Sequence, residues 1–245
     1  MNCPEFKDIG LISERSVNLI SAIAKVMAEI LQFINGYVNN YGVSIILVTL
    51  LLKVVLLPTG IKQHRYMKKN RLLQPKIKAL QEKYKGNPEE LQKQQMELMK
   101  RENMNPFSGC LPLLLQMPIF FGWFTLLRNP GNFGVAMEGT KFLGLQLSTV
   151  VSQQGTLALV IIVVITALST YWQQAMVSTD ASQKGMLYIM PLFMAWITAT
   201  LPFGLAVYWM SNTIFGIAQH YGLELFLKEP PRGNEPANEN SGKNK

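Results

Sequence analysis

The chain has 245 residues, 49% of them hydrophobic and 16% charged, with 23 Lys and Arg against 15 Asp and Glu for a formal net charge of +8. Apolar residues gathered in such long blocks exclude an ordinary soluble globule, and the basic excess excludes a bundle buried wholly in lipid. Two cysteines, Cys3 and Cys110, offer neither a disulfide framework nor a metal cluster, and no cofactor is expected.

The pattern predicts an all-α polytopic membrane protein. It has five spanning helices, an N-terminal interfacial amphipathic helix and a cytoplasmic antiparallel helical hairpin. Residues 1–15 form an extracytoplasmic segment. Cys3 in it is either chemically idle or a lipidation site, and with only Met1 and Asn2 before it no signal peptide is visible. Over residues 16–38 the polar residues Asn18, Ser21, Lys25, Glu29 and Gln32 recur every three or four positions, which predicts a helix lying in the outer interface with Lys25 and Glu29 paired at i,i+4. The competing reading is a sixth span, which would place the N-terminus in the cytoplasm.

The first span covers 41–60 and carries Lys53. A lysine at the centre of a lone helix costs about 2.5 to 3.5 kcal/mol on insertion scales. It either faces a water-filled recess or snorkels to the headgroups. Residues 61–105 follow as the hairpin. Residues 62–105 hold twelve Lys and Arg against five Asp and Glu. Basic short loops stay in the cytoplasm, so the first span runs inward, the N-terminus lies outside and the C-terminus inside. Leu73, Ile77, Leu80 and Tyr84 define one amphipathic helix, and Leu91, Gln95, Leu98 and Glu102 a second. Between them Gly86 is expected to end the first, Asn87 to cap the second, and Pro88, Glu89 and Glu90 to fill its first turn. Lys76, Lys78, Lys83 and Lys85 are the candidate interaction residues. They suit anionic headgroups and ribosomal RNA; no specific nucleic-acid sequence is expected.

The remaining spans are 109–128, 156–174, 186–201 and 204–226, joined by an extracytoplasmic loop at 129–155 and a cytoplasmic loop at 175–185. Residues 227–245 read as a disordered cytoplasmic tail. Tyr41, Trp123, Trp172 and Tyr188 fall near span ends, where amphipathic rings prefer the interface. Within the spans, Thr166, Ser169, Thr170 and Gln173 form one polar stripe, and Tyr208, Asn212 and Gln219 share another face. Each alone is as easily interhelical glue, worth about 0.6 kcal/mol. Together with Lys53, and with no acidic residue in the spans before Glu224, they describe a wet, positively charged recess. The missing buried carboxylate argues against a proton or sodium transporter. His64 and His220 lie on different helices, and no nucleophile elbow or metal spacing is present, so no enzyme is expected.

The run Asn105-Pro106-Phe107-Ser108-Gly109-Cys110-Leu111-Pro112, continuing through Gln116, Pro118, Ile119 and Phe120, resembles the signature of the YidC family of membrane protein insertases, relatives of the mitochondrial Oxa and chloroplast Albino proteins. So do Leu73-Gln74-Pro75-Lys76-Ile77, Tyr41-Gly42-Val43-Ser44-Ile45-Ile46, and Pro202-Phe203-Gly204-Leu205 with Tyr208-Trp209. The resemblance covers roughly residues 17–225 and is of the short Gram-positive type. It implies a hydrophilic groove open to cytosol and lipid but closed to the outside, in a bacterial plasma membrane. Lys53 stands where the family carries a groove arginine, giving a point charge in place of a planar fork. The implied substrates are nascent single- and multi-span membrane proteins, with or without the Sec translocon. Two rival readings of the same residues are an anion channel or small-solute transporter using Lys53 as a selectivity charge, and a passive scaffold.

Overall fold

The computed structural model describes residues 5–102, 104, 111–177 and 184–227. Its helices are α1 (Glu5–Val38), α2 (Tyr41–Val55), α3 (Leu57–Lys83), α4 (Pro88–Arg101), α5 (Leu111–Arg128), α6 (Thr156–Val177), α7 (Lys184–Thr200) and α8 (Phe203–Phe226). Cys3, Cys110, the stretch 105–110 and the tail beyond 227 lie outside the described residues.

Two asparagines make the first corner. Asn39 takes the left-handed conformation, φ 52°, that ends α1, and Asn40 accepts the Val43 backbone N–H at 3.2 Å to cap α2. Along α1, Ala24, Met27, Ala28 and Leu31 form the buried stripe that packs on α5 and α2. The exposed remainder splits into polar Asn18, Ser21, Lys25, Glu29 and Gln32 and apolar Leu19, Val26, Phe33 and Tyr37. Lys25 and Glu29 do not form the expected ion pair. Such an exposed contact gains only a few tenths of a kcal/mol and must immobilise two long side chains.

The predicted first span is not one straight helix. Pro58 has no N–H to give to the Val54 carbonyl, and the chain breaks at Leu56, turning α3 by 64° from α2. Lys53 therefore sits in the last turn of α2, where a cation also suits the helix dipole. Among the described residues, two helical stretches suffice by length and composition to cross a membrane, Asn18–Val38 and Thr156–Met176, or three if the bent pair counts as one; Leu187–Thr200 is apolar but shorter.

Helices α3 and α4 pack side by side through Leu73, Ile77 and Met104, flanked by Tyr66, Leu98 and Met99. Asn87 caps α4 by accepting the Glu90 N–H at 3.2 Å. Gly86 does not end α3, which stops at Lys83 with Tyr84 as its cap, and Gly86 keeps a negative φ. At its base the hairpin is tied to the bundle: Lys68 Nζ donates to the Leu227 carbonyl at 3.2 Å and Arg71 donates to the Met176 carbonyl. Both caps neutralise helix C-termini.

The segment between α5 and α6 departs from an all-helical reading. It holds short 3-10 turns at Pro130–Phe133 and Val151–Gln153 and a two-stranded antiparallel hairpin, β1 (Lys141–Phe142) with β2 (Leu145–Gln146). Leu143 and Gly144 turn it with φ 53° and 83°, the pair of positive values that matches strand twist. Val135, Met137, Leu147 and Val151 from this segment are fully buried, joining Ile45, Val48, Trp123, Leu126, Leu127 and Leu205 in one apolar core. That end of the bundle is packed solid. Trp123 belongs to it: with no exposure, it lies 5.4 Å from the Tyr208 ring and is not an interfacial anchor. Trp172 and Tyr188 do face outward, among a broad exposed apolar surface of α6 and α7 that includes Val160, Val164, Leu168, Ile189, Leu192 and Trp196.

Candidate functional site

At the opposite end, toward the α3–α4 hairpin, the same helices diverge around a cavity of about 280 Å³, large against the roughly 30 Å³ of a liquid water molecule. Helical spacing delivers its walls. On α2 they are Thr49, Leu52 and Lys53; on α8 they are Tyr208, Asn212, Gly216, Gln219 and Leu223, a four, four, three, four rhythm, flanked by Trp209 and His220. The elbow adds Leu56, Thr59 and Gly60. Gln63, His64 and Met67 come from α3, Gln116 and Ile119 from α5, and Gln173, Gln174 and Met176 from the end of α6.

Of the residues singled out in the sequence, Lys53, Gln173, Tyr208, Asn212 and Gln219 meet here. Thr166, Ser169 and Thr170 do not line the cavity. Thr166 is fully buried with its hydroxyl unpaired, Ser169 donates to the Thr166 carbonyl at 3.2 Å, and Thr170 accepts the Trp209 indole N–H at 3.4 Å. These contacts hold α6 against itself and α8. In the hairpin, Lys76 is bound to Glu102 at 2.7 Å, Lys83 lies 5.2 Å over the Tyr84 ring, and Lys78 and Lys85 are exposed. The Lys76 hydrogen bond holds the Glu102 carboxyl below its usual range.

Among the described residues, none that lines the cavity is acidic. Lys53 is half-buried and, among the described residues, has no carboxylate or hydrogen-bond partner. Two close approaches set its surroundings. A Cβ at Gly216 would overlap the Gln173 amide and lie 3.7 Å from Lys53 Nζ, and a Cβ at Gly60 would overlap the Gln219 amide. The glycines are notches that admit the two amide heads. Tyr208 is nearly fully buried and its hydroxyl accepts from Gln116 Nε2.

Near the hairpin end, His64 and His220 stand with ring centroids 5.1 Å apart, and His220 Nε2 lies 3.5 Å from the Glu224 carboxylate. His64 Nδ1 is buried without a partner. Burial pushes the His64 pKa down; Glu224 opposes this and Lys68 and Arg71 reinforce it. Sequence inspection treats these histidines as unrelated, because nothing local reveals that the elbow at Leu56 folds α3 onto α8. Gly216 was discoverable: it falls on the α8 stripe that carries Asn212 and Gln219. The arrangement offers a cation and hydrogen-bonding groups in a recess closed at one end by apolar packing, suited to holding a polar or acidic segment inside an otherwise apolar body.

These features define a helical membrane protein with a one-ended polar recess. The family model described as 60Kd inner membrane protein matches residues 33–229. The membrane protein insertase YidC of Caldanaerobacter subterraneus subsp. tengcongensis is 39% identical over 210 residues, covering 86% of this chain and 96% of that one. The Fusobacterium nucleatum insertase YidC is 32% identical over 205 residues, covering 83% and 95%. A longer relative, the YidC of Helicobacter pylori, is 33% identical over 218 residues, of which this chain spans only 38%. A crystal structure described as an active YidC insertase with the first transmembrane domain resolved superposes with a TM-score of 0.65 at 26% identity, covering 85% of this chain and 46% of that one. The chain belongs to the YidC family of membrane protein insertases.

Proposed function

We propose that the recess receives the leading polar tail of a nascent membrane protein from the cytoplasmic side of a bacterial plasma membrane. In this reading α2, α5, α6, α7 and α8 are the five spans and α1 lies in the outer interface. The α3–α4 hairpin stands in the cytosol, the N-terminus is outside and the C-terminus inside. The observation that carries it is the pairing of Lys53, in a cavity without acidic lining, with a solid apolar core at the other end. An acidic tail is drawn to Lys53 while its apolar helix moves along the exposed apolar surface of α6 into lipid. The membrane potential then favours outward movement of the tail by about 2.3 kcal/mol per charge per 100 mV. The lining supplies countercharge and hydrogen bonds partway across, which lowers the barrier without nucleotide. Lys78 and Lys85, exposed near the hairpin tip, are the side chains best placed to meet a ribosome, a signal recognition particle or its receptor, or lipid headgroups. The Sec translocon is a further candidate partner.

Reconstituted insertion of a single-span substrate tests this. Lys53→Ala removes one charge-assisted contact, worth about 1.5 to 3 kcal/mol, and slows insertion of an acidic-tailed substrate by roughly tenfold or more. Lys53→Arg preserves it. Equal activity of Lys53→Glu and the parent would remove Lys53 from the mechanism. Steady anion conductance in planar bilayers would favour a channel.

A further inference from the structure

Lys53 accounts for acidic tails, yet most of the polar surface of the cavity carries no charge. Gln63, Gln173, Gln174, Asn212 and Gln219 all line it, all are half-buried, and among the described residues none of their side chains makes a hydrogen bond within the protein. Half-buried amides lining a recess keep their donors and acceptors free for whatever enters it, water or a polar ligand. Two of them, Gln173 and Gln219, have their heads seated against Gly216 and Gly60, where any side chain would displace them. Five carboxamides from α3, α6 and α8 lining one recess have a specific chemical meaning. Each presents donor hydrogens and a carbonyl oxygen, the same groups as a peptide bond, without charge and without preference for any side chain.

We propose that this set of carboxamides binds the backbone of an extended polypeptide segment, so that the recess recognises the peptide groups of a tail in addition to any acidic side chain on it. The inference rests on the reading of the recess as the receiving site for incoming chains and names what that site holds. A tail entering the apolar layer has lost water from N–H and C=O groups that no helix of its own satisfies, and these groups are common to all tails. Glutamine and asparagine replace that water, while Lys53 adds discrimination toward acids. The consequence is a division of labour. Tails without Asp or Glu depend on Gln173 and Gln219 and are indifferent to Lys53, whereas acidic tails use both.

The test uses the full chain in lipid nanodiscs, where both faces are accessible, and synthetic tail peptides carrying a photo-reactive benzophenone. Three peptides are compared: an acidic one, an acid-free one, and the acid-free one with alternate peptide bonds replaced by esters, which deletes N–H donors while keeping the shape. Capture is read as the yield of adducts mapped to cavity residues. The ester peptide is expected to be captured about tenfold less than its amide parent, the loss of a few hydrogen bonds. Gln173→Met with Gln219→Met, which keeps volume and removes the amides, should erase that difference and leave the melting temperature and part of the acidic-peptide capture through Lys53 intact. Equal capture of amide and ester peptides, or capture of the acidic peptide alone, overturns the inference and leaves the receiving site standing. Failure of every peptide to label the cavity overturns both.

Discussion

Gly216→Ala separates folding from function, because what its new methyl group meets is movable. Gly216 lies inside α8, and alanine there gains about 0.8 to 1 kcal/mol of helix propensity. Against this, the methyl overlaps the Gln173 amide and reaches to 3.7 Å from Lys53 Nζ. Both are tips of flexible side chains, and swinging Gln173 to a less favoured rotamer costs about 0.5 to 1.5 kcal/mol. The two effects nearly cancel. For a chain of this length a residual of about 1 kcal/mol shifts the melting temperature by roughly 2 to 4 °C at most. Insertion should respond differently. Displacing the Gln173 head withdraws one hydrogen-bonding group, worth about 1 kcal/mol, or roughly a fivefold slower rate. Thermal melting of purified protein and insertion into proteoliposomes provide the two readouts. A large fall in melting temperature would show that Gln173 is held rigidly. Unchanged insertion with unchanged stability would show that its position in the cavity is irrelevant.

Gly42→Ala should behave in the opposite way, since its Cβ would overlap the Phe142 ring and lie 2.6 Å from the Phe142 Cβ, a contact that cannot rotate away; overpacking of this kind costs about 1 to 3 kcal/mol, seen as a lowered melting temperature, and Phe142→Gly in the same chain, which removes that Cβ with the ring, should recover part of it. The His64 imidazole gives a pH signature. Its folded-state pKa lies below the ordinary histidine value, chiefly through burial, so the unfolded chain takes up this proton first as pH falls. Stability should therefore decline below about pH 6.5 and level off below the lowered folded value, and His64→Gln should lessen that part of a melting-temperature profile, the neighbouring His220 keeping the remainder; an unchanged slope would exclude His64 as a source.

How much could be read from the sequence depended on how local each signal was. The Asn87 cap and the Leu73 and Ile77 stripe are settled within a few residues, and their contacts in the hairpin follow from them. Family membership was legible from a long ordered set of motifs. Lys53, Gln173, Tyr208, Asn212 and Gln219 could be picked out because polar residues are conspicuous in apolar helices. Thr166 and Thr170 were conspicuous for the same reason, but a hydroxyl on a helix can bury itself against a neighbour, and period alone cannot distinguish a wall from a seam. Trp123 misled for a related reason: proximity to a helix end suggests an interface, whereas the folding of residues 135–151 over that end encloses it. The elbow at Leu56 was signalled by Pro58, yet its consequence, the meeting of His64 with His220, depends on the angle and not on the break. Lys25 and Glu29 had the right spacing, but at an exposed position spacing provides an opportunity without a driving force.

The basic side chains at the root of the hairpin have a mechanical consequence. Lys68 and Arg71 grip the final carbonyls of α8 and α6, the two helices whose lower turns carry Gln219 and Gln173. A pull on the α3–α4 arm is thus carried into the last turns of both walls, as well as along the backbone through the Leu56 elbow into α2. The root of the hairpin and two walls of the cavity are therefore one mechanically connected unit, fastened by two basic side chains.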